Sequence, residues 1–218
     1  MSAQKVRGAL QTALEAMAGI VPAVTITSSS VASPTVITTA TPHGIPVGAT
    51  VLATITGHTG STPALSGTYR ATATGASTLT LQTNATTPAN VTVTVGGTGG
   101  TFRAKLISYE NAGFIPTALV PYERVTWRFA EPLNEEMNRY HMERGFMQVD
   151  GMWPLHGGAG AGIARAELLR STFYRGAAFT QDGLTTTIER TPEIAAGMVD
   201  ADRFMLPTRI RFFAHVTA

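Results

Sequence analysis

A long stretch that is almost free of charge sets the strongest limit on how this chain can fold. Between Val21 and Thr101 the only charged side chain is that of Arg70, and threonine, glycine, alanine and valine dominate. Threonine and valine are β-branched and favour strands over helices. Turn signals such as Pro42-His43-Gly44 and Gly57-His58-Thr59-Gly60 recur along the stretch. Short strands at this spacing predict a small all-β sandwich or barrel.

Five strands are predicted within this stretch, each bounded by turn-forming residues. They are Thr35–Thr41, Thr50–Thr56, Gly67–Thr74, Thr78–Gln82 and Asn90–Val95. Low-complexity disorder is the alternative interpretation of so few charges. However, Val51, Ala53 and Ile55 alternate along one predicted strand as a buried face requires, and disordered tracts lack such faces. The folded interpretation is therefore favoured.

The rest of the chain has a more usual composition and predicts two helices and several longer strands. Residues 3–19 form an amphipathic pattern that stops at Gly19, and a second helical pattern starts at Ile163, after the glycine-rich loop 157–162. The predicted strands are Phe102–Tyr109, Tyr122–Glu131, residues 146–151, Leu184–Arg190 and Arg203–Val216. Pro207 in the last strand suggests an edge position or a bulge, since proline donates no ladder hydrogen bond.

Together these elements predict an α+β fold with an insertion. Two helices would pack on a mostly antiparallel sheet, and an all-β sandwich or barrel domain would interrupt the chain after the first helix. The predicted α+β domain comprises residues 1–20 and 102–218, and the predicted insert comprises residues 21–101. Pro22 and the glycine-rich segment 96–100 mark the two ends of the insert.

Charge and residue usage exclude several classes of protein. A net charge of +2 is too small to predict a nucleic-acid footprint. The absence of cysteine excludes disulfides, zinc–thiolate sites and cysteine nucleophiles. The first twenty residues are a poor signal peptide, because Glu15 interrupts them and they contain no long apolar run. No apolar run is long enough for a membrane-spanning helix, so we expect a soluble protein made in a cytoplasm.

No catalytic, cofactor-binding or metal-binding site is predicted. The loop 157–162 invites comparison with phosphate-binding loops, but Ile163-Ala164 follows it where the P-loop motif has lysine and serine or threonine. The dinucleotide fingerprint fails at the same isoleucine. The five histidines have no metal-ligand spacing, and we expect His43 and His58 to lie in turns. A nucleotide-binding enzyme therefore stays a disfavoured alternative.

A charged segment between Pro132 and Glu143 is the candidate partner interface. Its charged and ionisable residues are Glu135, Glu136, Arg139, His141 and Glu143. Paired carboxylates could serve acid–base chemistry, but a polar segment beside a proline is more often a solvated or partner-facing one. We therefore predict that this segment contacts a partner, and that it orders on assembly.

The second half of the chain resembles the tail terminator-like proteins of long-tailed phages. The resemblance rests on the order and spacing of several structural motifs. They are Glu110-Asn-Ala-Gly-Phe-Ile-Pro-Thr117, Pro121-Tyr-Glu-Arg-Val-Thr126, Gly145-Phe-Met-Gln-Val-Asp150, Gly158-Ala-Gly-Ala-Gly-Ile-Ala-Arg-Ala-Glu-Leu-Leu-Arg170 and the final strand. It covers the first helix and roughly residues 104–218, and the insert departs from it.

This resemblance implies a structural virion protein without enzymatic activity. Such proteins form a ring, usually of six subunits, on the head-proximal end of the tail tube. The ring stops tube growth, contacts the tail tube protein and the head–tail connector (stopper), and lets genomic DNA pass through its lumen. It is assembled in the host cytoplasm and resides in the neck of the virion. The alternatives are another neck or tail-completion subunit, or an adaptor whose β-insert is a binding module.

Overall fold

The computed structural model describes residues 2–111, 114–133 and 140–216, which fall into two compact units. The sheet unit consists of Met1–Met17, Ile107–Phe114 and Tyr122–Ala218. The barrel unit consists of Ala18–Leu106 and Ile115–Pro121. Each unit has its own strands and its own buried apolar residues.

Both units consist mainly of strands, which corrects the predicted α+β class. Strands account for 45% of the chain and helices for 14%. Two helices are described, α1 (Ser2–Ala16) and α2 (Gly160–Thr172). The prediction was wrong because several strands contain only two to four residues, too few for a periodic pattern to reveal them.

The barrel unit is a closed barrel of six strands. They are β1 (Val24–Ser29), β2 (Val36–Thr39), β3 (Thr50–Thr56), β4 (Gly67–Ala73), β5 (Thr78–Thr83) and β6 (Thr101–Ala104). The barrel order is β1-β2-β5-β4-β3-β6, and β1 pairs with β6 to close it. Alternate side chains point inward, so Ile37, Ile55 and Leu79 are fully buried. β1 was missed, and predicted strand Asn90–Val95 forms only isolated bridges.

The sheet unit contains an eight-stranded sheet. Its strands are β7 (Ile107–Tyr109), β8 (Tyr122–Phe129), β9 (His141–Pro154), β10 (Ala178–Gln181), β11 (Leu184–Ile188), β12 (Glu193–Ile194), β13 (Met198–Asp200) and β14 (Arg203–Val216). The order is β10-β11-β14-β9-β8-β7, with β12 and β13 also paired to β14. β9 and β14 pair antiparallel along their full length, and β7 pairs with β8 in parallel.

Pro207 lies in the centre of the sheet, which corrects the expectation of an edge strand. It stands opposite Asp150 of β9, and its carbonyl accepts a hydrogen bond from the Ala195 amide. In a strand, the amide and the carbonyl of one residue face the same neighbour. The Pro207 nitrogen, which has no proton, therefore faces the segment between β12 and β13, where no ladder hydrogen bond is needed.

Both helices contribute to a core on one face of the sheet. Val6, Leu10 and Leu14 of α1 follow one another at intervals of about one helical turn, and all three are fully buried. Leu169 and Phe173, in and just after α2, join them against alternate residues of the long strands. The strand residues of this core include Val125, Trp127, Met147, Val149, Ile210 and Phe212. Each large buried side chain contributes about 1.5–3 kcal/mol of transfer free energy.

Gly151 of β9 makes room for a tryptophan on the helix-covered face. A Cβ atom at this position would overlap the ring of Trp153, which is itself buried. The same ring packs against Gly162 of α2, so it cannot simply move toward the helix. Gly151 is therefore required by close packing and not by a turn.

We predict that Gly151→Ala destabilises the sheet unit by about 1–3 kcal/mol, as overpacking of a core does. The matched control is Gly160→Ala at the start of α2, where an added Cβ meets no neighbour and alanine favours the helix. Urea unfolding followed by tryptophan fluorescence measures both variants, because both tryptophans of the chain lie in the sheet unit. Equal midpoints for the two variants would contradict the packing argument.

Candidate assembly surface

The sheet unit has one face covered by helices and one face rich in arginine. The two faces alternate along each strand, so the neighbours of buried Val125 and Trp127 belong to the second face. That face, called here the arginine face, carries five arginines from three adjacent strands. They are Arg124, Arg128, Arg144, Arg209 and Arg211, all half-buried or exposed.

Near the start of β9, the arginine face contains a groove of about 560 Å³. We call it the arginine groove and define it by six lining residues. They are Arg128, Phe129, Arg144, Phe146, Arg211 and Phe213. The groove thus combines three permanent positive charges with the aromatic rings of Phe146 and Phe213, because the guanidinium group is not deprotonated in proteins. The Phe129 ring packs against Phe212 on the helix-covered face.

Strand register explains how the groove is built. Phe146 of β9 stands directly opposite Arg128 of β8 on one side and Arg211 of β14 on the other. Arg144 stands opposite Phe213 in the next row. Directly opposed residues have Cα atoms about 4.5–5.5 Å apart. Three guanidinium groups therefore lie within reach of one bound segment.

The arginines of the groove are less neutralised than the others on this face. Arg124 pairs with Asp150 at 3.2 Å, and Arg209 lies 3.9 Å from Glu193. In the groove, Arg144 donates to the Glu131 carbonyl. Within residues 2–111, 114–133 and 140–216, neither Arg128 nor Arg211 forms an ion pair.

Glu189, the carboxylate at the groove rim, pairs with the neighbouring Arg190 at 3.2 Å. The groove therefore carries three arginines and one carboxylate, and its balance of charge is positive. The arrangement suits an anionic segment that also carries an apolar side chain, because planar guanidinium groups bind carboxylates in bidentate fashion and the rings supply apolar walls.

The predicted partner segment is only partly described. Glu135, Glu136 and Arg139 lie outside the described residues. His141 and Glu143 begin β9, where Glu143 is buried and accepts a 2.6 Å hydrogen bond from the Ser2 hydroxyl at the start of α1. The His141 Nε2 atom lies 3.5 Å from the same carboxylate. A negative charge at a helix N-terminus is favourable, so Glu143 holds α1 in place.

The other residues considered from the sequence have structural surroundings. His43 and His58, expected in turns, lie in loops of the barrel unit but are buried, and His58 Nδ1 contacts the Gly99 carbonyl at 2.7 Å. Over the described ranges, no three histidine, aspartate or glutamate side chains cluster as a metal site would require. Within those ranges, no helix combines the length and apolar character needed to cross a membrane.

A buried ion pair fixes α2 to the sheet, and sequence reasoning missed it. Arg165 of α2 and Glu123 of β8 are 6% and 1% exposed, and two hydrogen bonds of 2.7 and 2.8 Å join them. In the helical pattern that starts at Ile163, Arg165 lies largely off the apolar stripe, which is typical of a solvent-exposed residue. Its acidic partner is 42 residues away in sequence, so no local pattern could have indicated the pair.

A model of phage tail terminator proteins matches residues 98–212, just over half of the 218 residues. This match confirms the resemblance predicted from the sequence. No curated protein matches the chain at a significant level. A solved structure whose name states no function is 18% identical and covers 53% of this chain and 82% of its own, with a TM-score of 0.46. That likeness is too distant to support an argument.

We predict that Glu123→Gln lowers the free energy of unfolding of the sheet unit by about 3–5 kcal/mol, because it removes the negative charge that pairs with the buried Arg165 guanidinium. The double change Glu123→Leu with Arg165→Met should be neutral or stabilising, since it removes both charges together. Urea unfolding followed by tryptophan fluorescence tests both.

The control for this pair is Glu167→Gln, which removes an exposed ion pair with Arg170 on the same helix. Its cost should stay below about 1 kcal/mol, as for other exposed pairs. A Glu123→Gln variant no less stable than this control would show that the buried pair does not anchor α2.

Proposed function

We propose that this chain, which belongs to the phage tail terminator family, forms a ring of six copies that caps the tail tube. The family is structural and not enzymatic, and its members are tail proteins of the virion. In the proposal, the ring stops polymerisation of the tube, offers a surface to the head–tail connector and lets DNA pass through its lumen. Assembly takes place in the host cytoplasm. The family match over residues 98–212 carries the proposal.

The sheet edges support assembly into a ring. β10 and β7 stand at the two ends of the strand order, and each has one strand neighbour. An edge strand offers unpaired amide and carbonyl groups to another chain. Contacts between two different surfaces of identical copies close into a ring when the rotation between copies allows it.

We also propose that residues 21–101 are an insertion into a terminator domain made of residues 1–20 and 102–218. The family model begins at residue 98, and the barrel closes with its own buried core. The barrel need not take part in capping, and it is available to bind a further component of the virion. An adaptor or tail-completion subunit is the alternative function that this separate barrel favours.

The charged segment 132–143 is the proposed contact to the tail tube or to a neighbouring copy. Glu135, Glu136, Arg139 and His141 are the proposed contact residues, and Glu143 supports them by fixing the start of β9 against α1. Charged residues at the rim of an interface chiefly set the rate and specificity of association.

We expect the purified protein to form rings of about six subunits, alone or on tail tubes, and to stop tube growth when it is added to polymerising tube protein. Mass measurement in solution with electron microscopy of the same sample tests this. Glu135→Lys should reduce capping, whereas Glu167→Lys, an exposed acidic residue of α2, should not.

A well-folded chain that stays monomeric in the presence of tail tubes and never caps them would exclude the terminator role for this member. That result would favour the adaptor function. Equal capping by Glu135→Lys and Glu167→Lys would remove the charged segment from the interface while leaving the ring intact.

A further inference from the structure

We propose that the arginine groove of one copy receives the hairpin between β13 and β14 of the next copy. This inference rests on the proposed ring and names the residues that join its subunits. The acidic hairpin is defined by Met198, Val199, Asp200 and Asp202. It contains both chemical features that the groove requires, namely carboxylates and exposed apolar side chains.

The apolar part of the acidic hairpin faces solvent. Val199 is 66% exposed and Met198 is 50% exposed, although both belong to a paired strand. Because they are consecutive in the strand, their side chains lie on opposite faces, and each offers a separate exposed apolar contact. In the arginine groove, the half-buried rings of Phe146 and Phe213 offer apolar surface, and the Arg209 guanidinium lies 4.8 Å from the centre of the Phe146 ring.

The carboxylates of the hairpin are available for a second partner. Asp202, with an 81% exposed side chain, lies 3.7 Å from Arg203, and Asp200 lies 3.8 Å from Arg124. The Asp200–Arg124 contact is long and lies at the surface, where such pairs contribute little to stability. Asp202 contacts the buried Arg203 guanidinium, but its own carboxylate stays largely exposed. Docking in the groove would place these carboxylates against the guanidinium groups of Arg128 and Arg211. The negative charges of the hairpin and the positive charges of the groove would then neutralise each other.

The groove and the hairpin cannot meet within one chain. Arg203 lies at the hairpin and Arg211 lies in the groove, and both belong to β14, eight residues apart. A strand rises about 3.3 Å per residue. The two features are therefore separated by roughly 25 Å along a fully paired strand. Only a different copy can bring the hairpin to the groove, and the contact is head-to-tail, as ring closure requires.

Nucleic acid is a poorer occupant of the groove than the hairpin. Proteins that bind single strands carry a continuous basic track. Here Asp150, Glu193 and Asp200 lie beside the outer arginines and interrupt such a track. The net charge of +2 gives no general attraction to phosphate backbones.

The test uses two charge-reversed forms of the full chain. The groove variant carries Arg128→Glu and Arg211→Glu, and the hairpin variant carries Asp200→Lys and Asp202→Lys. Each variant alone should associate at least about 30-fold more weakly than the wild type, because like charges then face each other across the contact. A 1:1 mixture should recover assembly, since each reversed surface meets an oppositely charged one.

The control variant carries Arg175→Glu and Lys105→Glu, which change the charge equally at exposed positions outside the groove. It should assemble as the wild type does. Sedimentation velocity measures assembly, and tryptophan fluorescence in urea confirms that each variant is folded.

Wild-type assembly by each variant alone, or a mixture of folded variants that stays dissociated, would overturn this contact while leaving the ring proposal standing. A wild-type chain that never associates would overturn both. A labelled single-stranded oligonucleotide that binds the wild type and not the groove variant, with assembly unchanged, would reassign the groove to nucleic acid.

Discussion

The full-length pairing of β9 with β14 is the constraint on which the sheet unit depends. Fourteen residue pairs hold the two strands in one register, from Arg203 opposite Pro154 to Val216 opposite His141. If one strand shifted by one residue along the other, its two faces would be exchanged relative to its partner. The register therefore fixes at once which side chains meet the helices and which arginines face outward.

The two faces of the paired strands β9 and β14 differ in what they contact. On the covered face, glycines and apolar residues admit α1, α2 and the ring of Trp153, and the Arg165–Glu123 pair anchors α2. A buried pair of this kind gives little net stability but strongly disfavours other placements of the helix, which would leave a charge buried alone. The opposite face keeps its charges near solvent, where a partner can use them. The family membership identifies a structural protein of the phage tail.

Periodicity in the sequence located α1, β8 and β14, but short and long-range features were predicted poorly. β8 alternates between polar and apolar residues from Arg124 to Phe129, β14 does so from Arg209 to Phe212, and α1 shows a clear helical stripe. β9, which spans His141–Pro154, was predicted only over residues 146–151. β12 and β13 are too short to show a period, and the predicted strand at 90–95 failed because strand-like residues there found only isolated partners. These errors, together with the weight given to two helices, produced the wrong fold class.

The assembly surface was predictable in part. The alternation that placed Arg124 and Arg128 opposite Val125 and Trp127 was visible in the sequence, and Arg209 and Arg211 repeat it around Ile210. The sequence did not reveal that β8 and β14 lie on either side of β9 in one sheet, and so bring their arginines onto one face. Likewise, the burial of Glu143 follows from its contact with Ser2, 141 residues away.

The distribution of carboxylates between the units has a consequence for how the molecule responds to its surroundings. The barrel unit contains no aspartate or glutamate, so all of the acidic side chains of the chain belong to the sheet unit. Dissolved salt weakens attractions between exposed charges over distances of about 10 Å. Screening by salt therefore weakens ion pairs in the sheet unit, whereas the barrel unit contains no ion pair of its own for salt to weaken.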